Sequence, residues 1–174
     1  NDTGSPGTEK WSFETDDSVR SSPTVVGGTV YVSSGDSHVY ALDAPSGRKE
    51  WSFETKGLVK SSPTVVDGTV YVGSYDNHVY ALDASTGREE WNFETKDRVY
   101  SSPTVVDGTV YVGSQDSHVY ALDALTGRKE WSFEADLYVD SSPTVVDGTV
   151  YVGSGDGHTY GLDASTGREE WSSK

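Results

Sequence analysis

The chain has 174 residues and a formal charge of −15, and it contains neither Cys nor Met. Lack of Cys excludes disulfides, thiolate metal sites and a cysteine nucleophile, and the acidic balance excludes sequence-independent nucleic-acid binding, which rests on Lys and Arg neutralising phosphates. No apolar run approaches membrane-spanning length, so no membrane insertion is expected, and without an initiating Met the numbered chain reads as a processed or excised piece.

Hydrophobic residues make up only 33% of the chain, a share at which disorder has to be weighed. A strict repeat argues against it. Trp11, Trp51, Trp91, Trp131 and Trp171 stand forty residues apart, and the intervening residues recur with few changes. A period in this range signals a repeat architecture whose units cannot bury a core alone.

In chain order, residues 1–8 read as a flexible N-terminal segment and 9–174 as one domain. EKWSFE (9–14) reads as an additional outer strand preceding four blades at 21–54, 61–94, 101–134 and 141–174. The second blade serves as the type. SSPTVV (61–66) is strand A, and its Pro63 confines it to a sheet edge. Asp67-Gly68 suits a type I′ hairpin turn, in which both central residues take positive φ. TVYVGS (69–74) is strand B, YDN a loop, and HVYALDA (78–84) strand C; both faces of B and C are apolar, so both are covered. Ser85-Thr86-Gly87-Arg88 turns the chain, with Gly87 supplying a left-handed residue. Strand D, EEWNFE (89–94), puts Trp91 and Phe93 on one side and polar residues on the other, a half-solvated edge. An A-B-C-D antiparallel unit covered on both faces and repeated every forty residues predicts an all-β propeller.

The pattern Ala-x-Asp-x-x-x-Gly-x-x-x-Trp resembles the tryptophan-docking motif of the pyrroloquinoline-quinone (PQQ)-type propeller repeat. It reads Ala41, Asp43, Gly47, Trp51; Ala81, Asp83, Gly87, Trp91; Ala121, Asp123, Gly127, Trp131; and Gly161, Asp163, Gly167, Trp171. The resemblance implies indoles docked between blades, glycines and aspartates shaping the C–D turn, and an extracytoplasmic or cell-surface setting. The family includes quinoprotein dehydrogenases, which resemble eight-bladed discs with quinone and calcium on the axis, and non-catalytic propellers such as an outer-membrane assembly lipoprotein. Catalytic members often hold a vicinal disulfide against the cofactor, which a chain without Cys cannot form. The four near-interchangeable units offer no asymmetric catalytic set. No catalytic residue, cofactor or metal is therefore expected.

Two D strands, 9–14 and 169–174, compete for one place in the last blade. A closed four-bladed monomer, or a homodimer in which each chain gives half of an eight-bladed ring, would each resolve this. The wedge angle implied by the resemblance favours eight.

Differences between copies gather in the D–A and B–C loops, which an up-and-down blade places at one end. Loops on a rigid scaffold are where binding concentrates. The candidate binding face is Arg20, Leu58, Lys60, Tyr75, Arg98, Tyr100, Gln115, Leu137 and Tyr138, facing an unknown protein or small ligand; drift at exposed loop tips is the alternative. The Asp-x-His pairs (Asp36/His38, Asp76/His78, Asp116/His118, Asp156/His158) read as braces of the B–C turn, since two donors per site are thin for zinc. The Ser-Ser pairs at 21–22, 61–62, 101–102 and 141–142 read as structural, and the motif aspartates as Asx-type caps. The expected function is a non-catalytic scaffold or interaction module. Two other readings stay open: a quinone- or metal-binding relative of the dehydrogenases, and an engineered or truncated piece of a larger propeller.

Overall fold

The structure, a computed structural model, describes residues 7–174. Most of the expected flexible segment, residues 1–6, lies outside the described residues. Sixteen strands follow among the described residues, all in four four-stranded antiparallel sheets. Blade 1 is β1 (Thr24–Val26), β2 (Thr29–Ser33), β3 (His38–Asp43) and β4 (Lys49–Glu54). Blade 2 is β5 (Thr64–Val66), β6 (Thr69–Gly73), β7 (His78–Asp83) and β8 (Glu89–Glu94). Blade 3 is β9 (Thr104–Val106), β10 (Thr109–Gly113), β11 (His118–Asp123) and β12 (Lys129–Glu134). Blade 4 is β13 (Thr144–Val146), β14 (Thr149–Gly153), β15 (Thr159–Asp163) and β16 (Glu169–Ser173). The order in each sheet is A-B-C-D, as the alternation predicts. Strand A is shorter than predicted: Pro63 and the serines before it lie outside β5.

Local sequence accounts for the hairpins. Asp67 (φ 49°) and Gly68 (φ 83°) both occupy the left-handed region that a type I′ turn requires. Between strands C and D the register shifts after Ala81, which pairs with Trp91 while Leu82 pairs with Glu89. That bulge leaves Glu90 unpaired and twists the outer strand.

Packing between blades supplies the core. At the first joint Tyr31, Val39, Ala41 and Trp51 of blade 1 pack against Val70, Val72, Tyr80 and Leu82 of blade 2, and the next two joints repeat this. The Trp51 indole is 9% exposed and donates from Nε1 to the Ala84 carbonyl (2.9 Å). Its flat face lies on Gly87, where a Cβ would come within 2.6 Å of the ring. Gly87 therefore meets two demands, a φ of +71° and the absence of a side chain beneath the indole. Trp91 and Trp131 dock identically on Ala124 and Ala164. Burying an indole removes roughly 150–250 Å² from water, or about 4–6 kcal/mol gross at about 25 cal/mol/Å², as an upper bound.

Three more hydrogen bonds cross each joint. The Tyr31 hydroxyl donates to the Ala84 carbonyl (3.1 Å), Thr24 Oγ1 to the Pro63 carbonyl (2.6 Å), and the Ser22 N–H to Ser62 Oγ (2.8 Å). The same set joins blade 2 to 3 and blade 3 to 4.

The termini depart from expectation. Residues 9–14 form no strand; they lie against blade 1, with Trp11 Nε1 donating to the Ala44 carbonyl (2.9 Å) and Phe13 edge-on to Tyr40. Their place in blade 4 is filled by β16. Trp171, expected to dock like its sisters, is 42% exposed, since no blade packs against it among the described residues. The inner strands touch in sequence, β1 with β5, β5 with β9 and β9 with β13, and the four sheets form an open arc.

Candidate interaction face

The D–A and B–C loops lie at one end, held together by backbone hydrogen bonds. The N–H groups of Gly35, Tyr75, Gln115 and Gly155 donate to the carbonyls of Ser18, Leu58, Arg98 and Tyr138. The reason is local. Each B–C loop carries a left-handed residue (Ser37, Asn77, Ser117 or Gly157, φ 70–87°) that folds the chain back toward the D–A loop. Sequence reasoning noted these positions as variable and missed their backbone role; Asn77 and Gly157 were the signal, since both residue types favour positive φ.

The Asp-x-His pairs hold the same corner. Asp36 accepts from the His38 N–H (3.0 Å), the Tyr40 hydroxyl (2.8 Å) and the Asp16 N–H (3.1 Å), while His38 Nδ1 approaches the Asp36 carbonyl and its ring stacks on Tyr40. Desolvation pushes the Asp36 and Asp156 carboxyls upward, but the hydrogen bonds they accept outweigh it and hold both below the usual carboxylate range. Burial, then the bond to Asp156, pushes Tyr160 up to about 12. Each carboxylate of the brace accepts hydrogen bonds from its own blade and from the adjoining D–A loop.

The repeated serines and aspartates are hydrogen-bonded within the fold. Ser21 Oγ bridges to the Ser33 backbone, and Ser22, Ser62, Ser102 and Ser142 link blade to blade along the inner edge. Asp83 accepts from the Thr86 N–H (2.8 Å) and both neighbouring hydroxyls, the expected cap of the C–D turn. Those hydrogen bonds, from Ser46 on Asp43 and from Ser85 and Thr86 on Asp83, lower both carboxyls.

On the varied face the structure brings some candidates together and leaves others apart. Tyr75 of blade 2 and Tyr100, leading into blade 3, meet with centroids 5.9 Å apart. Lys60 Nζ lies 4.6 Å from the Tyr75 centroid and 5.9 Å from that of Tyr100, and the Arg98 guanidinium 5.3 Å from Tyr75. Two cations over two rings form a positive, aromatic patch on an otherwise acidic chain. At the next joint Gln115 donates to Asp140 (3.3 Å), whose second oxygen is buried without a hydrogen-bond partner. Tyr138 lies on Gly155, where a Cβ would fall 2.5 Å from its ring. Leu58, Leu137 and Tyr138 are exposed, and Arg20 stands apart from the patch at the first loop.

A quinone with its calcium does not fit the residues present. Among the described residues no three His, Cys, Asp or Glu side chains converge as a metal site would need, and the repeated carboxylates are consumed by turns and braces.

This architecture has relatives. No curated protein sequence matches the chain significantly. Among solved structures, BamB from Moraxella catarrhalis superposes with a TM-score of 0.84 at 25% identity, over 94% of this chain and 55% of that one. A quinohemoprotein alcohol dehydrogenase from Pseudomonas putida HK5 gives 0.83 at 23% identity, over 93% of this chain and 35% of that one. The computationally designed Ika4 protein gives 0.81 at 19% identity, over 90% of this chain and 98% of that one. The chain thus spans about half the length of BamB, and the same fold serves both an assembly factor and a dehydrogenase. A family model described as the outer membrane protein assembly factor BamB matches residues 3–61 and 56–174. With its docked indoles and forty-residue blades, the chain belongs to that family of PQQ-type propeller repeats.

Proposed function

We propose that the chain is a non-catalytic interaction module, a rigid propeller arc presenting one varied loop face to a partner protein in an extracytoplasmic or cell-surface setting. The observation that supports this reading is the cluster of Lys60, Tyr75, Arg98 and Tyr100. Elsewhere the blades largely repeat the same bonds, and here neighbouring copies assemble two cations and two aromatic rings across a joint. Tyr and Arg dominate binding hot spots because they bury large area and keep a polar handle. Membership of an assembly-factor family points the same way. Among the described residues no helix is long and apolar enough to cross a membrane, and the patch lies within loops.

Replacing Tyr75 and Tyr100 with Ser tests this. Both rings lie in loops outside the interblade clusters, so the variant keeps its melting temperature. The partners recovered by crosslinking the parent protein should be lost; a variant that retains all of them removes the reading. A second reading, quinone binding, draws on the shared fold with the alcohol dehydrogenase. PQQ with Ca²⁺ should leave the absorbance and melting temperature unchanged, and a saturable shift in either would favour that reading.

A further inference from the structure

The two ends of the arc are unlike and complementary. At each internal joint three donors cross to three acceptors: a Tyr hydroxyl to an Ala carbonyl, a Thr hydroxyl to a Pro carbonyl, a Ser N–H to a Ser Oγ. Blade 4 carries the donors again, as Tyr151, Thr144 and the N–H of Ser142, and none has a partner among the described residues. Blade 1 carries the acceptors, as the Ala44 carbonyl, the Pro23 carbonyl and Ser22 Oγ. Among the described residues only Ala44 of these is engaged, by the Trp11 indole, and a carbonyl has a second lone pair for a tyrosine, as Ala84 demonstrates. Apolar exposure follows the same division. Tyr151 is 36% exposed and Trp171 42%, where Tyr111 and Trp131 are 5% and 9%.

We infer that the ends close on a second copy of the chain, blade 4 of each against blade 1 of the other, and that residues 9–14 of the partner replace β16 as the fourth strand of blade 4. The proposal concerns the ends of the arc and is independent of the loop-face reading. Two equivalent joints related by a twofold axis close the assembly. A second copy is the fitting occupant because the surface that blade 4 lacks is the one the chain builds three times over.

The strand replacement follows from sterics and side-chain content. Trp11 already fills the cradle over Gly47, where a Cβ would lie 2.5 Å from the indole, so Trp171 has no room there. Residues 9–14 are seated as every internal D strand is. Phe13 lies 5.2 Å from Tyr40, as Phe53 lies 5.3 Å from Tyr80, and the Asp16 N–H reaches Asp36 as the Lys56 N–H reaches Asp76. No strand is assigned to the segment among the described residues. β16 is paired but poor in content: all five residues are exposed, and Ser173 stands opposite Thr159 where Phe53 stands opposite Val39. In the register of the internal blades, Phe13 would take the place of Ser173 and Trp11 that of Trp171.

Light scattering should give the mass of two chains; one chain, or a concentration-driven polymer, would overturn the assembly. Removing residues 169–174 should leave the dimer intact, whereas Trp11→Ala should dissociate it with the far-ultraviolet spectrum preserved. The reverse pattern would overturn the strand assignment. Because Trp11→Ala also strips blade 1 of its cover, a second variant guards the test. Tyr151→Phe with Thr144→Val removes two hydrogen bonds that exist only across the joint. Both joints of the twofold assembly lose these bonds, four in all, so dimerisation should weaken about 600-fold, roughly fivefold for each bond, with the melting temperature of the dilute monomer unchanged. An unaltered dimer affinity would overturn the proposed joint.

Discussion

Trp131 and Trp171 end almost the same eleven residues, ALDALTGRKEW and GLDASTGREEW. One is 9% exposed and bonded to the Ala164 carbonyl; the other is 42% exposed. Both keep the same tilted contact with the tyrosine of their own blade, Tyr111 or Tyr151, at 5.8 and 5.9 Å. The motif thus fixes how the indole stands on its own sheet, and the following blade decides whether it is buried. Docking is a property of the pair of blades.

The largest expected effect breaks an interior joint. Trp91→Ala should destabilise the chain by about 3–5 kcal/mol, and Trp171→Ala by under about 1 kcal/mol, measured by denaturant unfolding of dilute protein. Equal losses would mean that the two indoles are not in different situations. The receiving side comes next. Gly127→Ala places a Cβ about 2.6 Å from the Trp91 ring at a φ of +69°, and overpacking with left-handed strain should cost about 2–4 kcal/mol. Gly68→Ala, at +83° but with nothing within 4 Å, isolates the backbone contribution at about 1–2 kcal/mol.

A third prediction concerns acid. Asp43, Asp83, Asp123 and Asp163 are held below the usual range, first of all by hydroxyl donors of the C–D turn. A depressed folded pKa contributes stability that is present above the unfolded value, about 4, and is lost as pH falls through the folded value. Changing all four to Asn keeps the acceptor and removes the titration. The variant's melting temperature should fall less than the parent's between about pH 4 and pH 2. The smallest effect is a gain. Ser33 occupies the position where the other blades have Gly73, Gly113 and Gly153, and its hydroxyl is buried without a partner. The cost of that orphan, about 1–3 kcal/mol, exceeds the conformational cost of Gly, about 0.5–1 kcal/mol. Ser33→Gly should therefore stabilise the first joint by about 1 kcal/mol.

The blade itself was legible because its determinants are local. Asp67-Gly68 announces its turn, Pro63 its edge, and the double-sided apolar runs at 69–74 and 78–84 the centre of the sheet. The ends were not legible. Residues 9–14 carry every mark of a strand, yet a strand needs an edge to pair with, and β16 holds the one available. The second demand on Gly87 was equally hidden, since its indole comes from residues thirty-six positions earlier. On the loop face, the gathering of varied residues at one end followed from topology. That Tyr75 would meet Tyr100 across a joint depends on the angle between blades, which no single repeat encodes.

The serine ladder along the inner edge has a consequence for how such a chain can change. Each N–H reaches an Oγ forty residues ahead, so the link refers only to the adjacent module and never to the total. A genetic event that deletes or copies one whole module leaves every surviving link with a valid neighbour. Unequal recombination could therefore lengthen or shorten the array in a single step, and near-identical modules are the raw material such recombination requires.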